Sequence, residues 1–531
     1  MHYYRLHLAF CGKNAFETRR HLFFYYGRDI LSVQTAVYRA ARFLTSGGRM
    51  PQALGIFSII DFSNCFGKAA YIRMKEIFAL DGYRNIYFVG IGGSSMSSLA
   101  MIMKNRGVQV KGYDRAVSAE TEMLEKSGIT VYHDTQRSHF DGADLVVYTV
   151  AFSAEHPEMK IANSLGVPVI TRAKLLEAIA AGYKKSIGVA GTHGKSTTSG
   201  MLSQIFLSEH GCSPTILIGA PLPAVGAAYK IGCDDNFIFE ACEYKDSFLS
   251  FYPKIAVILN VRLDHTDYFP SMERLAASFR QYMNNAGADG TAIVNADSPD
   301  AVRASEGVLP KVLFYSTIKA DADFYAGNIA FEHGCGSFDF YQNGARVCRI
   351  NLSVPGEFNV SNALAAAAAA SISGISNEAI VRALKDFRGV SRRFEYLGNI
   401  NGARFYTDYA HHPDELGATL KAARSVATGR LVTLFQPHTF TRLHDFFDEF
   451  ASSFSCSDLA LFTDVFSARE TNRFGIGSRD LASAAGGIYL PSLEDSADYL
   501  LENTHEGDTV MLMGAGDVNL VWDIMIKKGK K

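Results

Sequence analysis

Residues 186–199 read Ser-Ile-Gly-Val-Ala-Gly-Thr-His-Gly-Lys-Ser-Thr-Thr-Ser, an apolar run that enters a glycine turn and leaves it through a helix-starting segment. A strand feeding a tight turn and then a helix is a βα unit, and such units stack into a parallel sheet with crossover helices. The turn also carries chemistry. Gly191 and Gly194 let backbone N–H groups converge on an anion, the helix N-terminus adds partial positive charge, and Lys195 supplies a full one. Ser196 follows, with a hydroxyl suited to a hard cation. The common phosphate loop is spaced G-x-x-x-x-G-K-[ST]; counting back from Gly194, its first glycine falls at 189, where this chain has Val189. An incidental glycine turn is the simpler alternative, but the Lys-Ser-Thr run stands in register with a helix start.

The same alternation runs along most of the chain. Ile86–Val89 reads as a strand entering glycines, followed by a helix from Ser97 to Asn105. Val108–Val110 and Leu145–Val150 read as further strands, with a polar helix over Ala119–Ser127 between them. A second block opens near Tyr183, with a strand at Ser186–Val189 and a helix at Thr197–His210 closed by Gly211. It continues through a buried strand at Ile255–Leu259 and short alternating strands over 311–353, read as a small β insertion. The alanine-rich Leu364–Ala370 reads as a buried helix. A third block begins near Arg392, with strands at Leu431–Phe435 and Thr509–Met513. The class is α/β, with domains expected over 84–180, 181–390 and 391–531.

Residues 1–80 differ, being arginine-rich and poor in acids. An extra domain, a basic targeting arm and sequence upstream of a start at Met74 compete, and the last is favoured. The net charge of −2 over 531 residues gives no reason to expect nucleic acid or an anionic membrane as the main partner. No apolar run reaches the ~18 residues of a membrane span, and no signal-peptide pattern opens the chain. The eight cysteines form no C-x-x-C pair, which suggests reduced thiols without a zinc site or disulfide framework.

Two acidic stretches follow the glycine loop. Phe239-Glu-Ala-Cys-Glu243 comes after the strand-like 236–239, and Asn260-Val-Arg-Leu-Asp-His265 after the strand 255–259. Parallel strands present their C-terminal ends on one sheet edge, so Glu243 and His265 could reach a metal held by phosphates at Ser196. Mg²⁺ prefers oxygen, so histidine is unusual on chemistry alone. Near the first strand, Gly90-Ile-Gly-Gly-Ser-Ser-Met-Ser-Ser-Leu-Ala100 approximates a dinucleotide fingerprint, but its G-x-G-x-x-G ends in Ser95. Asp114 could meet a ribose; an NAD-dependent dehydrogenase would, however, leave the Lys195 loop unexplained.

Taken in order, these stretches resemble the Mur ligases. The form G-T-x-G-K-[ST]-T, here Gly191–Thr197, is shared with folylpolyglutamate synthases and also lacks the standard first glycine. E-A-x-E and N-x-x-x-D-H resemble the family's central domain, and G-I-G-G-x-x-M-S-x-L-A its first. Gly356-Glu-Phe-Asn359, Arg392-Arg393-Phe-Glu, Thr407-Asp-Tyr-Ala-His-His-Pro413, Phe435-Gln-Pro-His-Thr-Phe-Thr-Arg442 and Gly514-Ala-Gly-Asp517 complete the series. The matches run from about residue 85 to 520 and leave residues 1–80 without a counterpart. Departures are Cys242 and Tyr244 in E-A-C-E-Y, serines at 95 and 98 for glycine, and Thr439 for arginine.

The resemblance implies a three-domain plan: a Rossmann-like first domain, a central P-loop ATPase-like domain with a small β insertion, and a Rossmann-like third domain. It implies an ATP- and Mg²⁺-dependent ligase, cytoplasmic and serving peptidoglycan precursor synthesis, that joins L-alanine to the lactyl carboxylate of UDP-N-acetylmuramic acid through an acyl phosphate. Gly90, Gly92, Gly93, Ser95, Met96 and Asp114 would hold the UDP-sugar. Gly191, Thr192, His193, Gly194, Lys195, Ser196, Thr197, Asn359, Arg393 and Asp408 would hold ATP. Ser196, Glu243 and His265 would bind Mg²⁺, with Lys195, Glu243, His265 and Arg393 as the catalytic set, and His411, His438 and Arg442 would line the amino-acid site. Sister ligases that attach a peptide or another amino acid, or glutamate to folate, are the near alternatives. A non-catalytic NTP-binding regulator is a further one.

Overall fold

The computed structural model describes residues 80, 82–233, 235–265, 268–468 and 470–529; the expectations for the segment before residue 80 lie outside them. Three sheets follow one another along the described chain.

The first has strands β1 (Asn85–Val89), β2 (Gln109–Tyr113), β3 (Thr130–Tyr132), β4 (Leu145–Tyr148) and β5 (Val169–Thr171), in the order β3-β2-β1-β4-β5 and all parallel. β1 is buried on both faces from Ile86 to Val89, as a central parallel strand must be. Helix α1 (Ser94–Asn105) leaves the β1 turn three residues earlier than expected, because Gly93 already serves as its extended N-cap. Leu145–Val150 shortens to β4, and the strand expected at Val108–Val110 runs on to Tyr113.

The second sheet is built on β6 (Lys185–Ala190). From β6 the chain passes through α2 (Lys195–Ser208) to β7 (Thr215–Leu222), β8 (Ala227–Lys230), β9 (Asn236–Glu240), β10 (Ile255–Ile258), β11 (Thr291–Asn295) and β12 (Lys311–Ser316). Then come β13 (Phe324–Glu332), β14 (Cys335–Gln342), β15 (Ala345–Pro355) and helix α3 (Phe358–Ile372). The ten-strand order is β15-β14-β13-β12-β11-β10-β6-β9-β7-β8. The expected β insertion is an antiparallel meander, β13-β14-β15, continuous with the main sheet: Tyr315 pairs with Phe324 and Ser316 with Tyr325. Helix α2 starts at Lys195 and ends at Ser208, two residues before the expected bounds at each end; Gly194, at φ +85°, is its N-cap, and Gly211 lies in the following turn. The alanines of α3 at 363 and 365–370 are fully buried, so the helix backbone packs close against α2 and the sheet.

The third sheet orders β16 (Glu395–Ile400), β17 (Ala403–Asp408), β18 (Leu431–Phe435), β19 (Leu459–Phe462), β20 (Ile488–Tyr489) and β21 (Thr509–Met513) as β16-β17-β21-β18-β19-β20. All neighbours are parallel except β16 with β17.

The lobes join in different ways. One buried cluster runs from Ile86, Phe88 and Leu176 of the first into Phe237, Phe239 and Phe279 of the second, and Tyr183 stacks on Phe237 at 4.9 Å. The third lobe keeps its own cores on the two sides of its sheet. No helix among the described residues is long and apolar enough to cross a membrane.

Candidate active site

The glycine loop follows β6, which lies between β9 and β10. The loops after all three strands therefore open side by side at one sheet edge, where an open α/β sheet binds its ligands. Val189 is the penultimate residue of β6, fully buried and paired with Val257 and Glu240. The loop proper begins two residues later, at Gly191 (φ +150°). The missing glycine is thus a strand position that needs an apolar side chain.

Side chains lace this loop to its neighbours. His193 N–H donates to Asn260 Oδ1 (2.9 Å), and Asn260 Nδ2 returns a bond to His193 O (3.0 Å). Arg262 N–H donates to Thr192 Oγ1 at 2.9 Å. Lys195 Nζ donates to Gly191 O (2.7 Å), Thr192 O (3.0 Å) and Glu243 Oε1 (3.1 Å), and lies 2.9 Å from Glu243 Oε2. Burial alone would lower the Lys195 pKa; Glu243, with Cys242 and Glu240, reverses that and holds the ammonium charged. Ser196 Oγ donates to Glu240 Oε2 at 2.8 Å.

Lys195, Ser196, Glu240 and Glu243 thus form one group, with Ser196 and Glu243 buried and Lys195 and Glu240 half-buried; its three hard-oxygen side chains are a donor set that fits Mg²⁺. His265 (φ +53°) packs on Tyr244, the residue after Glu243, with the two rings 4.6 Å apart. Glu240 opens the E-A-x-E stretch, but only the pairing of β9 with β6 gives it a partner in Ser196.

A cavity of about 670 Å³ adjoins the loop, within the roughly 300–1,000 Å³ typical of small-molecule sites. His193, Gly194, Thr197, Asn359, Arg393 and Asp408 line it, six of the ten residues expected around a nucleotide. Asn362 also lines it; a Cβ on Gly194 would lie 2.6 Å from Asn362 Oδ1, so only glycine allows this approach. Asp408 accepts from Phe394 N–H and Ala410 N–H, both at 2.8 Å, and burial raises its pKa to about 6 against the pull of Arg393.

The third lobe reaches the glycine loop through helix α4 (Pro413–Val426) and the loop after β10 through helix α5 (Phe440–Asp445). Glu415, in the first turn of α4, accepts from His193 Nδ1 (3.1 Å) and His411 N–H (3.2 Å), with Arg393 at 3.9 Å. Its charged form is strongly favoured: burial opposes ionisation, but His411, His193 and Arg393 outweigh it. Arg442 on α5 contacts Asp264 Oδ1 at 3.3 Å and His438 Nδ1 at 3.4 Å. The rings of His411 and His438 lie 6.0 Å apart, and burial is the chief cause that takes each pKa down to about 4. Thr439 sits at φ +68°, a strained value for a β-branched residue. Glu415 escapes sequence reasoning, since an acid in a first helical turn is ordinary until the lobes meet.

The expected sugar-nucleotide residues sit apart, at the C-terminal end of β1. Gly90 (φ +83°) presses on the Phe152 ring, where a Cβ would come within 2.6 Å. Asp114 Oδ2 accepts from Gly92 N–H at 2.9 Å and shapes the turn, Ser95 Oγ accepts from Arg172 at 3.0 Å, and Gly93 caps α1. Met96 is 2 % exposed and supports the turn from within the core.

Three lobes on mainly parallel sheets, with a lysine-bearing glycine loop at the meeting of the second and third, have the architecture of a phosphate-binding α/β protein. Family comparison agrees: the Mur ligase family catalytic domain matches residues 85–184, the Mur ligase middle domain 189–370 and the Mur ligase glutamate ligase domain 392–516. The chain belongs to the Mur ligase family. Among curated relatives it is similar to the UDP-N-acetylmuramate–L-alanine ligase of Acetivibrio thermocellus, 41% identical over 462 residues that cover 86% of this chain and 98% of that one. The enzyme of the same name from Caldicellulosiruptor bescii is 40% identical over 83% of this chain and 98% of its own. In fold it is similar to the UDP-N-acetylmuramate–alanine ligase of Thermotoga maritima, with a TM-score of 0.72 at 24% identity over 84% of this chain and 99% of that structure.

Proposed function

We propose that the chain is an ATP-dependent ligase that joins L-alanine to the lactyl carboxylate of UDP-N-acetylmuramic acid, in the cytoplasmic synthesis of peptidoglycan precursors. The observation that carries the reading is the Lys195–Glu243 pair at the glycine loop, beside a cavity that the third lobe closes with Arg393, Asp408 and Glu415. The L-alanine ligases at 40–41% identity, covered almost end to end, support the choice of substrates.

A carboxylate repels nucleophiles and lacks a good leaving group. Transfer of the γ-phosphoryl group of ATP to one carboxylate oxygen releases ADP and gives an acyl phosphate. The amine then attacks the carbonyl carbon, and phosphate departs with the transferred oxygen. Lys195 and Arg393 offset negative charge on the moving phosphoryl group. Ser196, Glu240 and Glu243, with His265, would hold Mg²⁺, which when bound draws charge from the phosphates. Asn359 and Asn362, whose amides are tied to Pro355 O and to each other, line the part of the cavity where a base would sit. Gly90, Gly92, Gly93 and Ser95 would cradle the diphosphate of the sugar nucleotide. The fork of Arg442, backed by His411 and His438, pairs with the amino-acid carboxylate by exchanging Asp264 for it. Closure of the third lobe keeps water from the acyl phosphate.

The test is phosphate release from ATP with UDP-N-acetylmuramic acid, trying each amino acid and the corresponding tripeptide in turn. L-alanine should give the highest kcat/KM; a strong preference for the peptide would move the chain to the murein peptide ligase branch, and no release with any acceptor would refute the ligase reading.

A further inference from the structure

Two histidines from different lobes face each other beside the glycine loop, and each holds a buried ring nitrogen with no partner. His193 engages Glu415 through Nδ1 and leaves Nε2 unpartnered. His412, the N-cap of α4, accepts Asp414 N–H at Nδ1 and also leaves Nε2 unpartnered, although only 5 % of the residue is exposed. Their rings lie 5.2 Å apart. With a carboxylate oxygen of Asp414, one ring nitrogen from each histidine completes a set whose donor atoms all fall within 4.8 Å of one another.

We propose that His193, His412 and Asp414 form a binding site for an imidazole-preferring divalent cation of the Zn²⁺ type, shared between the glycine loop and the third lobe. The site is separate from the oxygen-rich group at Ser196, Glu240 and Glu243, and it does not depend on which substrates the lobes serve.

Chemistry and geometry both favour it. Two imidazoles and one carboxylate suit zinc, whereas Mg²⁺ takes oxygen donors and would pass this site by. Glu415 on Nδ1 of His193 is the carboxylate–histidine arrangement that fixes the tautomer and leaves the buried Nε2 with a free lone pair. Donors around a tetrahedral ion with bonds of about 2.0–2.1 Å stand about 3.3 Å apart, so the set must contract by up to about 1.5 Å. Asp414 is exposed, and its nearest cation is Arg262 at 4.0 Å, so it can move. His412 must shift its proton from Nε2 to Nδ1 and give up a long 3.3 Å cap bond, a small loss beside a metal–nitrogen bond. A filled site ties the glycine loop to α4 across the lobe boundary.

The test is a Co²⁺ titration of the metal-free full-length chain in excess Mg²⁺, followed by visible absorption, with Zn²⁺ then displacing the Co²⁺. The wild type should give d–d bands without thiolate charge transfer. His412→Asn, which retains an acceptor for the cap, and Asp414→Asn should each weaken binding at least about tenfold, and Glu415→Gln by about tenfold as the loss of a supporting carboxylate. If His412→Asn melts below the wild type, the exposed Asp414→Asn variant decides alone. Unchanged affinity in the deciding variant, a thiolate band, or displacement of Co²⁺ by Mg²⁺ would overturn the site.

Discussion

Lys195 is held by two carbonyls of its own loop and by Glu243, so a phosphate entering the loop must take over a charge the protein already stabilises. Lys195→Ala should therefore lower ATP-dependent phosphate release by at least about 100-fold, the scale of losing one electrostatic group at a reacting centre. Sugar-nucleotide binding to the first lobe, measured by calorimetry, should be retained. Near-normal phosphate release would remove Lys195 from its assigned role. The histidines of the third lobe carry a pH signature. Burial lowers His411 and His438 to about 4, against 6.5 for an unperturbed imidazole. Between those values the unfolded chain binds more protons, so stability is lost as pH falls from about 6.5 to about 4. Asp408, raised by burial from 3.8 to about 6, opposes this, because its contribution declines as pH rises through the same interval. Glu158, raised by burial to about 7, opposes it as well. The two histidines are therefore read by difference: between about pH 6.5 and about 4 the loss in melting midpoint should be smaller in a His411→Asn/His438→Asn double variant than in the wild type. Parallel pH curves for the two proteins would contradict the assignment.

At the scale of elements, the turn from β6 into α2 depends on Gly194, whose φ of +85° and contact with Asn362 exclude a side chain. Gly194→Ala should cost about 1–2 kcal/mol of stability and weaken binding of a fluorescent ATP analogue; unchanged melting and binding would show that the turn tolerates a Cβ. The elements legible in the sequence were those with uninterrupted apolar runs. Leu431–Phe435 and Thr509–Met513 are strands with the expected bounds, since both are central and fully buried. Edge strands escaped notice: β20 has two residues, and β16 is half-buried along most of its length, so neither carries a period. The meander β13–β15 was seen as strands and glycine turns, but its attachment to β12 is a long-range pairing that local pattern does not encode. In the site, the glycine loop and both acidic stretches were readable because each sits just after a strand. The Ser196–Glu240 bond and the Glu415 hub were not, because they exist only once β9 lies beside β6 and α4 beside the loop.

At the scale of the described chain, the first two lobes share a buried apolar cluster, while the third meets the second through charged and polar side chains at the glycine loop and at Asp264. A polar junction between lobes is the kind that opens and closes. Glu415, which joins His193 of the loop to His411 and Arg393, should govern that motion. Glu415→Gln is expected to shift kcat and the KM for ATP together, as residues that control closure do; steady-state kinetics matching the wild type in both would count against it. On the proposed reading, ATP activates the sugar nucleotide's own carboxylate before any amine attacks. The direct measurement uses UDP-N-acetylmuramic acid labelled with ¹⁸O in the lactyl carboxylate, with mass analysis of the phosphate released in the presence of ATP and L-alanine. Phosphate carrying one atom of the label is the predicted result, and unlabelled phosphate would contradict it.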